Sequence, residues 1–334
     1  MNGKTISVMI PCYNEEENAF EIYKAVRDEI QKSLPEYAYE IVFIDNKSKD
    51  KTREIIRAVC QMDKNVKAIF NVKNFGQFNS PYYAMTQCTG DCVITICADF
   101  QDPVELIPQM VHEWEKGNKV ICMVKKTSKE SKIMYFLRSC YYKLIKKLSD
   151  VEQIEHFTGF GLYDKSFIDI LRGLHDSMPF IRGIVAEYAP DHLEIPYEQA
   201  KRRAGKTHNN FYSLYDAAML SFTSYTKAGL RIVTFFGFFV AFLSLLVSFI
   251  YFIYKLTHWN TFNAGTAPML IGLFFVGGVQ LGALGFIGEY IMNMNQRLID
   301  RPLVIEEERL NWDAEEEIAE DYPTENDTQE ETVL

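Results

Sequence analysis

One stretch of the chain, VITICADFQDPVELIP from Val93 to Pro108, places two carboxylates and an amide directly after an apolar run. Asp99 and Gln101 lie two residues apart, so both side chains can face the same side of an extended segment. Carboxylate and amide oxygens are the ligands that Mg²⁺ and Mn²⁺ prefer, usually together with phosphate oxygens and water. Asp99 and Gln101 are therefore predicted to hold a divalent metal. Asp102, with Pro103 after it, is predicted to cap the next helix.

Strand-like and helix-like segments alternate in the first part of the chain. Apolar runs are typical of buried strands at residues 6–11, 39–45, 66–70 and 91–98, and amphipathic segments are typical of helices at 14–30, 48–62, 80–89 and 103–117. This alternation predicts an α/β domain with a mostly parallel sheet covered by helices on both faces. Ligands of such sheets bind beyond the carboxyl ends of the strands. The polar residues at 13–15, 45–46 and 99–102 should therefore converge on one rim.

Two long segments without charged residues follow, at 232–254 and 267–288. Each is long enough to cross a hydrocarbon core of roughly 30 Å as a helix. Basic residues cluster on the outer flanks of the pair, which predicts that both flanks are cytoplasmic. The segments should form a transmembrane hairpin with a short linker at 255–266. Glycines of the second segment would let it pack closely against a neighbour, so we expect a homo-oligomer through these helices.

The formal charge of −10 is not spread evenly. Residues 306–334 carry thirteen Asp and Glu against one basic residue, a net −12, which leaves +2 for the rest. Such a like-charge block predicts a solvated, disordered tail. Seven scattered cysteines without metal-type spacing indicate reduced thiols in the cytosol. The N-terminus reads as a first strand and not as a signal peptide. A P-loop NTPase and a Rossmann dehydrogenase are unsupported, because the sequence has neither a GxxxxGKS/T loop nor a GxGxxG motif.

Ordered motifs carry a more specific resemblance: VMIPCYNEEEN, VFIDNKSKDKT, NFGQ, ADFQDP, FIRGI, RRAGKT, GEYI and RP. In this order they resemble polyprenyl-phosphate glycosyltransferases, which are family-two enzymes of the GT-A fold that include dolichol-phosphate mannose synthase. The bactoprenol-phosphate glucosyltransferase branch, with its two C-terminal spans, is most similar. The resemblance implies sugar transfer from a nucleotide-diphosphate sugar to polyprenyl (undecaprenyl) phosphate, with Mg²⁺ or Mn²⁺, for the cell envelope. It places the enzyme in the bacterial inner membrane, with the catalytic domain and both termini in the cytoplasm and with no nucleic-acid partner.

The resemblance also assigns roles to individual residues. The nucleotide pocket would be lined by Pro11, Tyr13, Glu15, Phe43 and Asp45. Ala98 and Asp99 would meet the diphosphate, and Asp99 with Gln101 would hold the metal. Phosphates of donor or acceptor would be neutralised by Lys125, Arg138, Arg182 and Arg202, because charge builds on the leaving diphosphate. Asp99, Arg138 and Arg202 are the predicted catalytic residues.

Three departures from the family pattern affect these expectations. Cys97 stands where the family has the first Asp of DAD, Gly159 and Gly161 replace the Asp and Arg of DFRL, and His208 replaces a Lys. A phosphate acceptor is already anionic near neutrality, so a lost Asp base is tolerable. We expect Cys97 to fill space at the strand end, since a thiolate suits softer metals.

Two alternatives to this function remain open. One is a catalytically degenerate scaffold that binds nucleotide sugar. The other is transfer to a saccharide hydroxyl, which would favour a retained Asp base and a QxxRW motif, neither of which is found. The sequence names neither the sugar nor the nucleotide base.

The predicted domain organisation follows from these patterns. The GT-A domain should span 1–208, a juxtamembrane amphipathic helix 209–231, the two transmembrane helices 232–254 and 267–288, and an acidic, largely disordered cytoplasmic tail 289–334. Within the first domain, residues 133–148 have the spacing of an amphipathic helix with lysines on its flank. This helix would lie either at the membrane surface or against the domain itself.

Overall fold

The structure is a computed structural model that describes residues 3–126, 154–174, 176–200, 202–203, 219–220, 228–257, 266–298 and 301–312. The described strands are β1 Thr5–Cys12, β2 Ala38–Asp45, β3 Val66–Asn71, β4 Cys92–Thr95, β5 Val120–Lys125, β6 Phe157–Asp164, β7 Leu193–Tyr197 and β8 Glu306–Leu310. The described helices are α1 Ala19–Ser33, α2 Thr52–Met62, α3 Gly76–Gln87, α4 Ile107–Glu115, α5 Lys165–Gly173, α6 Ile181–Tyr188, α7 Ala228–Thr257 and α8 Thr266–Leu298.

All eight strands lie in one sheet, in the order β7-β5-β6-β4-β1-β2-β3-β8. The four strands predicted from the N-terminal sequence form its centre, where β4, β1, β2 and β3 are parallel neighbours. β6 runs antiparallel to both β4 and β5, and β7 pairs parallel with β5. The prediction of a mostly parallel α/β sheet is confirmed.

Helices cover both faces of the sheet, as predicted. Alternate strand residues point to opposite faces: Val8 and Ile41 lie in the core under α1, α2 and α4, whereas Met9 and Val42 lie in the core under α3, α5 and α6. The apolar residues at the centre of both cores are fully buried. Burial on both faces explains why the central strands read as continuous apolar runs.

The prediction of a disordered tail is wrong for residues 301–312. α8 continues to Leu298, and the chain then forms β8, which pairs antiparallel with β3 at the edge of the sheet. The glutamates of β8 are neutralised by basic residues, with Glu307 bonded to Lys47 and Glu308 bonded to Arg57. Pairing of these charges removes the repulsion on which the prediction of disorder depended. Residues 313–334 lie outside the described residues.

The two predicted membrane segments lie on α7 and α8. Among the described residues, the stretch Phe275–Met292 of α8 is long and apolar enough to cross a membrane, with a mean hydropathy of 1.3 and none of its residues buried. The side chains of α7 are described only in part. Within the described chain, nothing lies within 4 Å of a Cβ built on the α8 glycines Gly277, Gly278, Gly282 and Gly285. The hairpin, its topology and the oligomer remain predictions.

Several predictions fall outside the described residues. These are the amphipathic helix at 133–148 with Arg138, residues 209–218 and 221–227 of the juxtamembrane segment, and residues 204–208, which include His208. α7 begins at Ala228, before the predicted start of the first span.

Candidate active site

The carboxyl ends of β1, β2 and β4 meet at one rim of the sheet, as the sequence predicted. Cys12 at the end of β1 pairs in register with Asp45 at the end of β2. The loop after each of these strands contains one residue with a left-handed backbone: Asn14 (φ 55°), Lys47 (φ 64°) and Phe100 (φ 59°). Such conformations persist only where surrounding contacts hold them, and they concentrate at functional sites.

The loops that follow β1 and β2 are bonded to each other along their length. The amide of Asn14 donates to Ser48 Oγ at 2.9 Å, and Asn14 Oδ1 accepts from the amide of Lys49 at 2.8 Å. The amide of Glu15 donates to Thr52 Oγ1 at 2.8 Å. These hydrogen bonds make one rigid wall of the rim from residues 13–16 and 45–52, which we call the donor-side wall.

Asn46 attaches a further segment to this wall. Its side-chain amide donates to Asn74 Oδ1 at 2.9 Å and to the carbonyl of Gly76 at 3.0 Å, and its Oδ1 accepts from the amide of Phe75 at 2.8 Å. The NFGQ motif is thereby held at the rim. From the sequence, Asn46 is predicted only as a polar residue at the end of a strand, directly after Asp45.

Asp45 is fully buried at the base of the donor-side wall. Its carboxylate accepts from the amide of Ser48 at 3.1 Å, and Arg53 Nε lies 3.4 Å from Oδ2. Burial raises the pKa of Asp45, and the hydrogen bonds from Ser48 and the charge of Arg53 oppose that rise. Asp45 is thus a buried carboxylate held by the Ser48 amide and by the ion pair with Arg53.

Asp99 lies across the rim from this wall and is paired with a basic residue. Arg202 Nη2 is 2.9 Å from Asp99 Oδ2, and Asp99 Oδ1 accepts from the amide of Gln101 at 3.1 Å. The segment that carries Arg202 is bonded to the same loop through its backbone, since the amide of Ala200 donates to the carbonyl of Gln101 and the amide of Arg203 to that of Asp99, both at 3.2 Å. The structure therefore brings together two of the three predicted catalytic residues.

The prediction that Asp102 caps the following helix is wrong. Pro103 occupies the cap position of a short 3₁₀ turn, Val104–Leu106, which has no side-chain cap. The buried carboxylate of Asp102 turns back instead and accepts from the amide of Cys97 at 3.1 Å and from the hydroxyl of Tyr197 at 3.0 Å. Asp102 thus closes the loop that carries Asp99 and ties it to β7. No local sequence signal pointed to Tyr197.

We expected Cys97 to fill space at the strand end, and the structure places it as an exposed residue in the loop after β4. Its thiol is nevertheless surrounded by protein atoms, and this loss of solvent, followed by repulsion from Asp102 and Asp99, raises its pKa well above the usual value, while the positive charge of Lys125 opposes the rise. A thiol of this kind stays protonated at neutral pH. Lys125, the last residue of β5, is close enough to act on the same loop.

The remaining predicted residues divide into two groups. Pro11, Tyr13 and Glu15 are partly exposed at the end of β1 and in the loop after it. Phe43 is fully buried in the core, and the side chain of Ala98 is buried in the same core. Arg182 lies in the first turn of α6 with its guanidinium 4.7 Å from the centre of the Phe180 ring.

The local backbone at Gly159 and Gly161 favours glycine over any residue with a side chain. Gly159 has a φ of 102°, which residues with a side chain rarely adopt. A Cβ on Gly161 would overlap the carbonyl oxygen of Ile121 in the neighbouring strand β5.

The side-chain oxygens at this rim supply only part of the coordination that a divalent metal needs. Within the described portion of the chain, no group of three or more His, Cys, Asp or Glu residues could hold an ion. Asp99 offers one carboxylate, and Gln101 adds an amide two residues away. Mg²⁺ and Mn²⁺ are commonly held by one or two carboxylates together with substrate phosphates. The residues present therefore fit a metal that arrives with, or is completed by, a diphosphate.

Comparisons with known proteins agree with the motifs. Residues 7–171 match the model of the family described as Glycosyl transferase family 2. The SfII prophage-derived bactoprenol glucosyl transferase of Shigella flexneri is 33% identical over 301 residues, which covers 90% of this chain and 96% of that protein. The prophage bactoprenol glucosyl transferase homolog of Escherichia coli K12 is 32% identical over 287 residues, or 86% of this chain and 93% of that protein.

Among solved structures, glucosyl-3-phosphoglycerate synthase from Mycobacterium tuberculosis, in complex with Mn²⁺, UDP-glucose and phosphoglyceric acid, aligns with a TM-score of 0.46 at 17% identity, over 66% of this chain and 78% of that one. The family match, the extent of the relatives and the observed sheet agree with one another. The chain belongs to glycosyl transferase family 2 and is a glycosyltransferase of the α/β GT-A fold.

Proposed function

We propose that this glycosyltransferase moves a sugar from a nucleotide-diphosphate sugar to polyprenyl phosphate at the cytoplasmic face of a bacterial membrane. The observation that carries the proposal is the Asp99–Arg202 pair, at 2.9 Å, on the rim opposite the donor-side wall. A carboxylate suited to a metal and a guanidinium suited to a phosphate meet at the same point. The names of the bactoprenol relatives support the lipid acceptor, and they make a glucosyl donor the first to test.

The donor would lie between the two sides of the rim. The nucleoside would contact the wall at Tyr13 and Glu15, with Asp45 buried at the base of the wall, and the diphosphate would approach Asp99. A divalent ion, Mg²⁺ or Mn²⁺, held by Asp99 and Gln101, would supply positive charge to the diphosphate when bound. Asp99 cannot give the same oxygen fully to Arg202 and to a metal. Arg202 would therefore turn toward a phosphate of donor or acceptor, which a forked guanidinium binds well.

The reaction requires little from the protein beyond position and charge. The acceptor is a phosphate monoester whose second pKa is about 6, so it is already largely anionic at neutral pH. A direct displacement at the anomeric carbon then needs no protein nucleophile and no general base. Cys97, protonated at neutral pH, need not act in place of the absent Asp. Lys125 and Arg202 would offset the charge that develops on the leaving diphosphate.

The membrane anchor forms part of the same proposal. α7 and α8 would cross the bilayer as a hairpin, with residues 1–208 and the C-terminal segment in the cytoplasm. The apolar stretch Phe275–Met292 supports this arrangement, as do the basic flanks of the pair. Labelling of single engineered cysteines in intact cells should reach the predicted linker at 255–266 from outside and should not reach residue 328. Labelling at residue 328 from outside would contradict the hairpin.

The test of the activity is transfer of radiolabelled sugar from UDP, GDP, dTDP or CDP donors to undecaprenyl phosphate, with Mn²⁺ present. We expect lipid-extractable label from one donor, and a fall of at least about 100-fold for Asp99→Asn, because the variant weakens the binding of the metal that would offset the charge of the diphosphate. Asp169→Asn, an exposed carboxylate on α5, is the matched control and should keep wild-type activity.

The rival functions give different results in the same assay. A degenerate scaffold would bind a donor without transferring its sugar. A saccharide transferase would place the label in polysaccharide and not in lipid. Full activity of Asp99→Asn, or full activity in EDTA, would refute the assigned site.

A further inference from the structure

Asn18 stands directly before the first helix, where an asparagine side chain usually caps the helix. α1 begins at Ala19, and Asn, Asp and Ser are preferred at the preceding position because the side-chain oxygen can accept from a free amide of the first turn. Asn18 makes no such hydrogen bond. Its side-chain nitrogen Nδ2 instead donates to Glu15 Oε2 at 2.7 Å. The side chain therefore binds Glu15 and does not cap the helix.

This arrangement leaves one polar atom of Asn18 without a hydrogen bond. The residue is 1% exposed, and its Oδ1 has no hydrogen-bond partner among the described atoms. A buried acceptor without a hydrogen bond lowers the stability of the folded state. An apolar side chain of similar size, such as leucine, would avoid this loss. Positions where a sequence breaks such a local rule are expected at functional sites.

The backbone of Glu15 is held on both sides. Its amide donates to Thr52 Oγ1 at 2.8 Å, and its carbonyl accepts from the amides of Asn18 and Ala19 at 3.0 and 2.8 Å. The side chain of Glu15 is partly exposed at the donor-side wall. Since the backbone is held, the direction of the carboxylate depends on the side-chain torsions, which the hydrogen bond from Asn18 restricts. An ionised carboxylate has about four acceptor sites on its two oxygens, and this hydrogen bond uses one of them.

We propose that Asn18 is a positioning residue for the donor site, which holds the carboxylate of Glu15 in the orientation that accepts from the nucleoside. The inference rests on the proposed function, because it requires Glu15 to contact the donor. A glutamate that rotates freely loses side-chain entropy when a ligand binds, and a glutamate that is already held loses less. Asn18 thus strengthens donor binding and lowers the stability of the fold.

The experiment measures the binding of UDP, GDP, dTDP and CDP to the full-length protein in detergent by calorimetry, with Mn²⁺ present, and the melting temperature of each variant. For the nucleotide that wild type binds, Asn18→Leu should raise Kd about fivefold, the contribution of one side chain that is held before binding. Its melting temperature should equal or exceed that of wild type, because the variant loses one hydrogen bond but also removes the buried acceptor that has no partner. A merely structural asparagine predicts the reverse, a lower melting temperature with Kd unchanged.

Two further variants test whether the effect is specific. Asn118→Leu is the matched control, because the Asn118 side chain also donates one hydrogen bond, to the carbonyl of Glu113 at 3.0 Å. Asn118 precedes β5, which runs parallel to β4, so it lies at the edge of the sheet opposite the rim and its substitution should leave Kd unchanged. Asn18→Ser serves if Asn18→Leu does not fold. Serine is preferred before a helix, and its side chain ends one bond nearer the backbone than Nδ2, so the same rise in Kd is expected.

A double-variant cycle tests the route through Glu15. Glu15→Ala should raise Kd at least about fivefold, because the acceptor for the nucleoside is removed. In the Glu15→Ala background, Asn18→Leu should change Kd by less than about twofold, because no carboxylate remains to be positioned.

The outcomes separate the inference from the proposed function. Equal Kd for Asn18→Leu and wild type, together with a rise for Glu15→Ala, refutes the inference alone. An Asn18 effect that persists without Glu15 also refutes it, as does an equal rise in Kd for Asn118→Leu. Wild-type Kd in Glu15→Ala refutes the contact between Glu15 and the donor, and wild-type protein that binds none of the four nucleotides refutes the proposed function itself.

Discussion

The buried carboxylate of Asp102 allows a graded test of how the loop that carries Asp99 is held. Asp102→Ala removes the acceptor of the Cys97 amide and of the Tyr197 hydroxyl, at 3.1 and 3.0 Å. Tyr197 is only 3% exposed, so water cannot replace the acceptor that its hydroxyl loses. With about 1–3 kcal/mol for a buried donor left unsatisfied, we expect a loss of about 2–4 kcal/mol in the free energy of unfolding when both hydrogen bonds are removed.

Asp102→Asn should be much milder, because it keeps the shape of the side chain. The amide oxygen can accept from Cys97, and the amide nitrogen can donate to the hydroxyl oxygen of Tyr197, which both donates and accepts. We expect a loss below about 1 kcal/mol. Tyr197→Phe should lie between the two variants, since it removes one of the two hydrogen bonds.

The assay is denaturant unfolding of the full-length protein in detergent, paired with the initial rate of sugar transfer. Asp102→Ala should lower the rate at least about tenfold, because the loop then no longer holds Asp99 in place. The double variant Asp102→Ala with Tyr197→Phe should lose less stability than the sum of the two single losses, because both single variants remove the same hydrogen bond. Equal losses for the Asn and Ala variants, or strict additivity, would refute the assigned hydrogen bonds.

Four further predictions concern other parts of the chain. Arg202→Lys should lower turnover at saturating donor with normal membrane insertion, because lysine cannot make a forked phosphate contact; wild-type kinetics would refute a role in the site. Gly161→Ala should lose about 3 kcal/mol in an unfolding assay through backbone overlap, whereas Gly173→Ala, with nothing within 4 Å, should fold normally. Burial opposes ionisation of Glu40, but its hydrogen bonds lower the pKa overall. Wild type should therefore be more stable than Glu40→Gln above the pKa of an unfolded glutamate, about 4.3. This difference, measured from melting temperatures, should be lost as the pH falls through the lower pKa that Glu40 has in the folded protein. Removal of the residues after Trp312 should leave transfer unchanged, and a loss of activity would assign the acidic tail a partner or a regulatory role.

The amino-acid sequence determined the features that depend on short-range pattern. Continuous apolar runs identified the four central strands, because strands buried on both faces have no polar side. The polar residues at the ends of these strands predicted the rim, since parallel strands bring their carboxyl ends to one edge. Ordered motifs predicted the family. The same short-range reasoning failed at Asp102 and at β8. An Asp before a helix can cap the helix or, as here, accept from distant residues, and a block of acidic residues can stay solvated or, as here, pair with basic residues.

Tertiary structure alone decided which distant residues meet. Tyr197 and Asp102 are 95 positions apart, and Arg53 and Glu307 are 254 apart. No periodicity links such pairs, because their contact depends on strand order and register across the whole sheet. Asp99 is bonded to Arg202 because the backbone of residues 200–203 docks on the loop after β4, and β8 is ordered because its glutamates meet the basic residues of the β2–α2 region. Charge near a site can be read from the chain, but the partner of each charge is set by packing.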